Sequence, residues 1–73
     1  MDTRFPSVTL GTALNERGEA YMLEGRYGLA YLAFLQAQEH ALTPEGRSVL
    51  RDKARAASAA MHARGRMRDA DTR

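Results

Sequence analysis

The chain has 73 residues, 11 Lys/Arg against 9 Asp/Glu for a net charge of +2, and no cysteine. A chain this short supports one domain and buries only about 60% of its unfolded surface, so its core is small. Lack of cysteine removes disulfides, thiolate metal sites and a Cys nucleophile. No stretch approaches the roughly 20 apolar residues of a membrane span, and residues 1–20 hold no apolar run of signal-peptide length. These features predict a soluble cytoplasmic protein with no membrane partner.

Residues 1–7 read as a short arm with Phe5 before Pro6, and Ser7 suits a helix cap. A first helix is predicted over 8–23. Leu10, Leu14, Gly18 and Tyr21 recur on it at steps of three and four, which is one helix face. Gly11 and Gly18 each cost a helix on the order of 1 kcal/mol against Ala, so packing must hold it. Gly25 supplies the turn, because Gly accepts positive φ cheaply.

A second helix is predicted over 27–41. Leu29-Ala30-Tyr31-Leu32-Ala33-Phe34-Leu35 is an unbroken apolar run, whereas a surface helix shows an apolar stripe on one side only. Ala30, Phe34 and Ala37 are expected to face the first helix, and Tyr31, Leu35 and Leu42 the third. That leaves Leu29, Leu32 and Ala33 without a partner inside the chain.

Thr43-Pro44-Glu45 is a helix start: Thr caps, Pro suits the first helical position, and Glu suits the positive end of the dipole. The third helix is predicted over 44–63. Its inner face, Val49, Leu50, Lys53, Ala54, Ala57, Ala60 and Met61, is thin and Ala-rich. Gly65 reads as its stop, and 66–73 as a frayed polar tail. The expected organisation is an arm (1–7), an all-α three-helix domain (8–65) and a tail (66–73).

Leu14, Gly18, Tyr21, Gly25, Tyr27, Ala30, Phe34 and Ala37 together resemble the tetratricopeptide repeat (TPR), whose pattern mixes small and large apolar residues at these spacings before a closing Pro. The resemblance covers about one repeat. Arg17 departs from it, standing where the family has a hydrophobic residue, and Pro44 comes two positions late. A weaker resemblance, carried by Gly25, Tyr27, Ala30, Phe34 and Ala37 with a third helix following, is to microtubule-interacting and trafficking (MIT) domains, which are three-helix bundles. Gly18 inside the first helix favours the TPR.

The TPR resemblance implies a TPR-like helical hairpin capped by the third helix, and a protein-interaction module. One repeat does not bury its own faces. The third helix covers one side, and a second copy is expected to cover the other through Leu29, Leu32 and Ala33, giving a homodimer. In TPR proteins the first helix of a repeat lines the concave groove. By that resemblance Thr12, Asn15, Glu19 and Met22 would face a protein or peptide partner, with Glu19 favouring a basic peptide. The MIT resemblance would instead place the groove by Tyr31, Leu35, Leu50 and Ala54.

Nothing in the sequence reads as an enzyme. His40 and His62 are the only histidines, no metal-ligand spacing occurs, and no phosphate-binding Gly motif is present, so no cofactor, metal or catalytic residue is expected. Glu39 and His40 are adjacent and point apart on a helix. Charge is uneven: residues 1–42 carry three Arg against five acids, net −2, and residues 43–73 carry eight Lys/Arg against four acids, net +4. Arg47, Arg51 and Arg55 form a stripe, joined by Lys53, Arg64, Arg66 and Arg68. This basic half is the basis of an alternative reading as a nucleic-acid-binding protein. No aromatic residue is interleaved with it for base stacking.

Overall fold

The computed structural model describes the backbone of residues 8–71 and the side chains of residues 9–65. The predicted arm at 1–7, and the side chains of Arg66 and Arg68, lie outside the described residues. The fold is all-α, with α1 (Val8–Leu23), α2 (Tyr27–Gln38) and α3 (Pro44–Asp71) in chain order. α1 and α3 each pack along α2 and barely meet one another.

α1 ends where its glycine predicts. Gly25 has φ +77°. The Arg26 N–H donates to the Tyr21 carbonyl at 2.8 Å, and the Gly25 N–H to that of Met22 at 3.1 Å. This is the Schellman arrangement, in which a left-handed residue lets two N–H groups satisfy the last carbonyls of a helix. The turn is fastened from outside: Arg64 Nη1 of α3 donates to the Gly25 carbonyl at 2.7 Å, and its guanidinium lies 6.0 Å from the centre of the Tyr27 ring.

α2 is three residues shorter than predicted. After Gln38, the N–H groups of Glu39, His40 and Ala41 bond to carbonyls three residues back. The chain therefore tightens into 3₁₀-type turns before the α3 cap. Leu42 falls in the connection and is 65% exposed, so it is not buried against α3 as expected, though it lines a concavity with Val49 and Leu50. Ala33 also differs from expectation. It shares one stripe with Ala30, Phe34 and Ala37, is 4% exposed, and is unavailable to a second copy.

α3 begins as its sequence dictates. The Gly46 N–H donates to Thr43 Oγ1 at 3.0 Å, and the Arg47 N–H to the Thr43 carbonyl at 3.1 Å. The helix does not stop at Gly65 but continues to Asp71. Gly65 lacks the positive φ that ended α1, and Arg, Met and Ala after it propagate a helix well.

Among the described residues the buried hydrophobic side chains are Ala30, Ala33, Phe34, Ala37, Ala54 and Ala57. Tyr21, Met22, Tyr31, Leu35 and Leu50 pack around the cluster of Ala30, Phe34, Ala54 and Ala57. Tyr31, Leu35, Leu50 and Ala54, the groove of the second resemblance, are thus part of the core packing. Gly18 is buried because the Phe34 ring lies against its Cα. A Cβ there would fall 2.5 Å from Phe34 Cε1, well inside contact distance.

Two glycine substitutions should therefore act in opposite directions. Gly18→Ala gains up to about 1 kcal/mol of helix propensity but overpacks Phe34, which costs about 1–3 kcal/mol; net destabilisation is expected. A Cβ on Gly65 meets nothing within 4 Å, so Gly65→Ala should stabilise by about 0.5–1 kcal/mol. Urea titrations followed by circular dichroism measure both, and a stabilised Gly18→Ala would contradict the packing described.

Candidate interaction cleft

Because α1 and α3 flank α2 without closing on each other, a cleft runs between them. One compartment, about 430 Å³, is lined by Gly11, Thr12 and Asn15 of α1, Ala37, and Val49, Leu50 and Lys53 of α3, among others. A second, about 310 Å³, is lined by Glu19, Met22 and Leu23, Phe34, and Lys53 and Ala56. Lys53 is common to both and divides them.

Lys53 is held where it crosses. Its Nζ donates to Asn15 Oδ1 at 2.9 Å and lies 3.4 Å from Glu19 Oε1. It also lies 5.9 Å from the centre of the Phe34 ring, within reach of the negative face of the π-system. Its stem runs along apolar surface while its side chain stays 33% exposed. Lysine has three N–H donors, and Asn15 and Glu19 occupy two of them.

All four residues expected to face a partner, Thr12, Asn15, Glu19 and Met22, lie on the α1 wall of this cleft. Asn15 and Glu19 are engaged by Lys53, so the centre of the cleft presents an ammonium and an amide rather than a bare carboxylate. That offsets the attraction of Glu19 for a basic peptide. On the opposite wall, Lys53 was read from sequence with the basic half of the chain, as a candidate phosphate contact, and not as part of this cleft. Its signal was a lone charge on the apolar face between Val49, Leu50, Ala54 and Ala57.

The other residues marked by the sequence lie elsewhere. Leu29 and Leu32 on the outer side of α2 are 44% and 54% exposed, so that patch consists of two leucines without Ala33. Arg47, Arg51 and Arg55 are exposed along α3. His62 Nδ1 donates to the Ser58 carbonyl of its own helix at 2.9 Å. His40 packs beside Gly11, where an added Cβ would sit 3.0 Å from His40 Cβ. Among the described residues no group of three His, Asp or Glu side chains is placed to hold a metal ion, and no helix is long and apolar enough to cross a membrane.

No family model, curated protein or solved structure matches the chain.

The Lys53–Asn15 bond is measurable by a double-mutant cycle with Lys53→Met and Asn15→Ala. A charge-assisted hydrogen bond is worth about 1.5–3 kcal/mol, and partial exposure reduces this, so a coupling of about 1 kcal/mol is expected. Additive single-mutant effects would mean that Lys53 does not bridge the cleft in solution.

Proposed function

We propose that the chain is a protein-interaction module that holds an extended segment of a partner protein in the cleft between α1 and α3. The observation that carries this reading is the cleft itself: two mainly apolar compartments separated by a fixed ammonium. The resemblance of Leu14 to Ala37 to a TPR hairpin supports it, since the concave groove of that family lies on the corresponding helix. Thr12 and Met22 are about 15 Å apart along α1 at 1.5 Å per residue. Four or five residues of extended chain span that distance. The segment that fits carries an apolar side chain at each end and, between them, a carbonyl or carboxylate that accepts from Lys53.

A random peptide library displayed on phage tests this. Selection on the protein should enrich peptides with an acidic residue between two apolar ones. Enrichment should vanish on Thr12→Trp and Ala56→Trp, which fill the two compartments from exposed positions. Peptides that bind these variants equally well would remove the cleft from consideration.

The exposure of Leu29 and Leu32 favours a second, compatible reading, in which the module assembles with another copy through this patch. The acidic α1–α2 half and the basic α3 half make the chain electrostatically self-complementary. Sedimentation velocity from micromolar to millimolar concentration should show a concentration-dependent dimer, abolished by Leu32→Glu. A monomer throughout, indifferent to that substitution, would leave the cleft as the one interaction surface proposed.

A further inference from the structure

A third concavity lies on another side of the molecule, where the end of α2 meets the first turns of α3. It has a volume of about 390 Å³ and is lined by Gln38, Pro44, Arg47, Ser48 and Arg51. Four of these five side chains carry hydrogen-bond donors: two guanidinium groups, a hydroxyl and a carboxamide. None of the lining residues is acidic. None of these four side chains forms a hydrogen bond or ion pair with another described residue. The nearby helix-start groups are already used, since Thr43 caps the Gly46 and Arg47 N–H groups. The concavity is thus built from side chains of two helices, and its donors are unspent.

We infer that this pocket binds a phosphate monoester. Arg47 and Arg51 are one helical turn apart, about 6 Å along the axis, so both forks can reach one ligand. The planar fork of arginine matches two oxygens of a phosphoryl group, which a lysine in its place would not. A monoester offers three terminal oxygens and close to two negative charges, enough acceptors for both arginines and Ser48 at once. A polynucleotide strand suits the site less well. Arg55 continues the stripe but lies outside the pocket, the acidic Asp52 lies beside it, and no aromatic side chain among the lining residues offers a base a stacking surface. The monoester arrives either on a small molecule or on a phosphorylated side chain of a partner; the chemistry recognised is the same.

Amide chemical shifts of the full chain, followed by NMR, test this with four probes at constant ionic strength: inorganic phosphate, O-phosphoserine, a phosphoserine peptide and a single-stranded oligonucleotide. Phosphate and phosphoserine should produce saturable shifts centred on residues 47–51. Affinity should fall as pH drops below about 6, where the dianion takes up a proton. Arg51→Ala should weaken binding about tenfold or more, the change expected for losing one charge-assisted hydrogen bond. Ser48→Ala, a milder change in a helix, should weaken it less, and both variants should keep the far-ultraviolet dichroism of the parent. Tighter binding of the phosphopeptide than of phosphoserine assigns the monoester to a protein partner; equal binding assigns it to a small molecule. Linear, unsaturable shifts, or shifts as large at Arg26 and Arg64 as at Arg47 and Arg51, would overturn the inference. So would oligonucleotide binding that spans Arg55 without saturable phosphate binding.

Discussion

The contact between the Phe34 ring and the Cα of Gly18 is the constraint to which the rest of the bundle conforms. With hydrogen in place of a side chain at Gly18, the ring reaches the α1 backbone directly. α1 and α2 therefore lie close together, and Ala30, Ala33 and Ala37 on the same stripe have room for a methyl group and nothing more. α3 adopts the same economy through Ala54 and Ala57. Phe34 is also the largest fully buried side chain and lies beneath the Lys53 ammonium, so the residue that sets the helix spacing also floors the cleft. The site follows from the arrangement: α1 and α3 both pack on α2 and meet each other little, with Lys53 bridging the gap.

Much of this was written in local residue chemistry. Leu14, Gly18 and Tyr21 gave α1, and Gly25 its end, because a helix face and a left-handed turn are properties of a few adjacent residues. Thr43-Pro44-Glu45 gave the start of α3 for the same reason. Two boundaries were not legible. α2 stops at Gln38 because the chain needs the following residues to tighten before the α3 cap, and the apolar pattern does not record that requirement. Gly65 looks like Gly25 in sequence, yet it takes no positive φ; what separates them is tertiary, since the chain after Gly25 turns back to pack α2 on α1 and its carbonyl is held by Arg64.

The cleft was half legible. A resemblance placed Thr12, Asn15, Glu19 and Met22 on one wall. The opposite wall comes from residues almost forty positions later, and no periodicity within α1 points to Lys53. Ala33 was misassigned for a related reason: in an unbroken apolar run the sequence does not say which side is covered, and the stripe shared with Ala30 and Ala37 decides it. The electrostatic character of the cleft changed with Lys53 as well. A carboxylate read alone invites a cation, but a carboxylate already beside an ammonium leaves that ammonium's remaining donor as the group offered to a ligand.

The alanine-filled interior has an evolutionary consequence. Five of the six buried hydrophobic side chains among the described residues are alanine, and Gly18 has no side chain at all. At such positions volume can shrink by no more than a methyl group. An aliphatic core drifts by compensated exchanges, one side chain shrinking as its neighbour grows. Here the neighbours with volume to give up are Phe34 and the partly buried Tyr21, Met22, Tyr31, Leu35 and Leu50 around it. Compensated drift in the interior therefore runs through Phe34 and these surrounding side chains, while the alanine positions themselves admit little growth. Descendants of this chain should keep a nearly frozen pattern of small residues beneath freely changing surfaces, a lineage recognisable by what its core lacks.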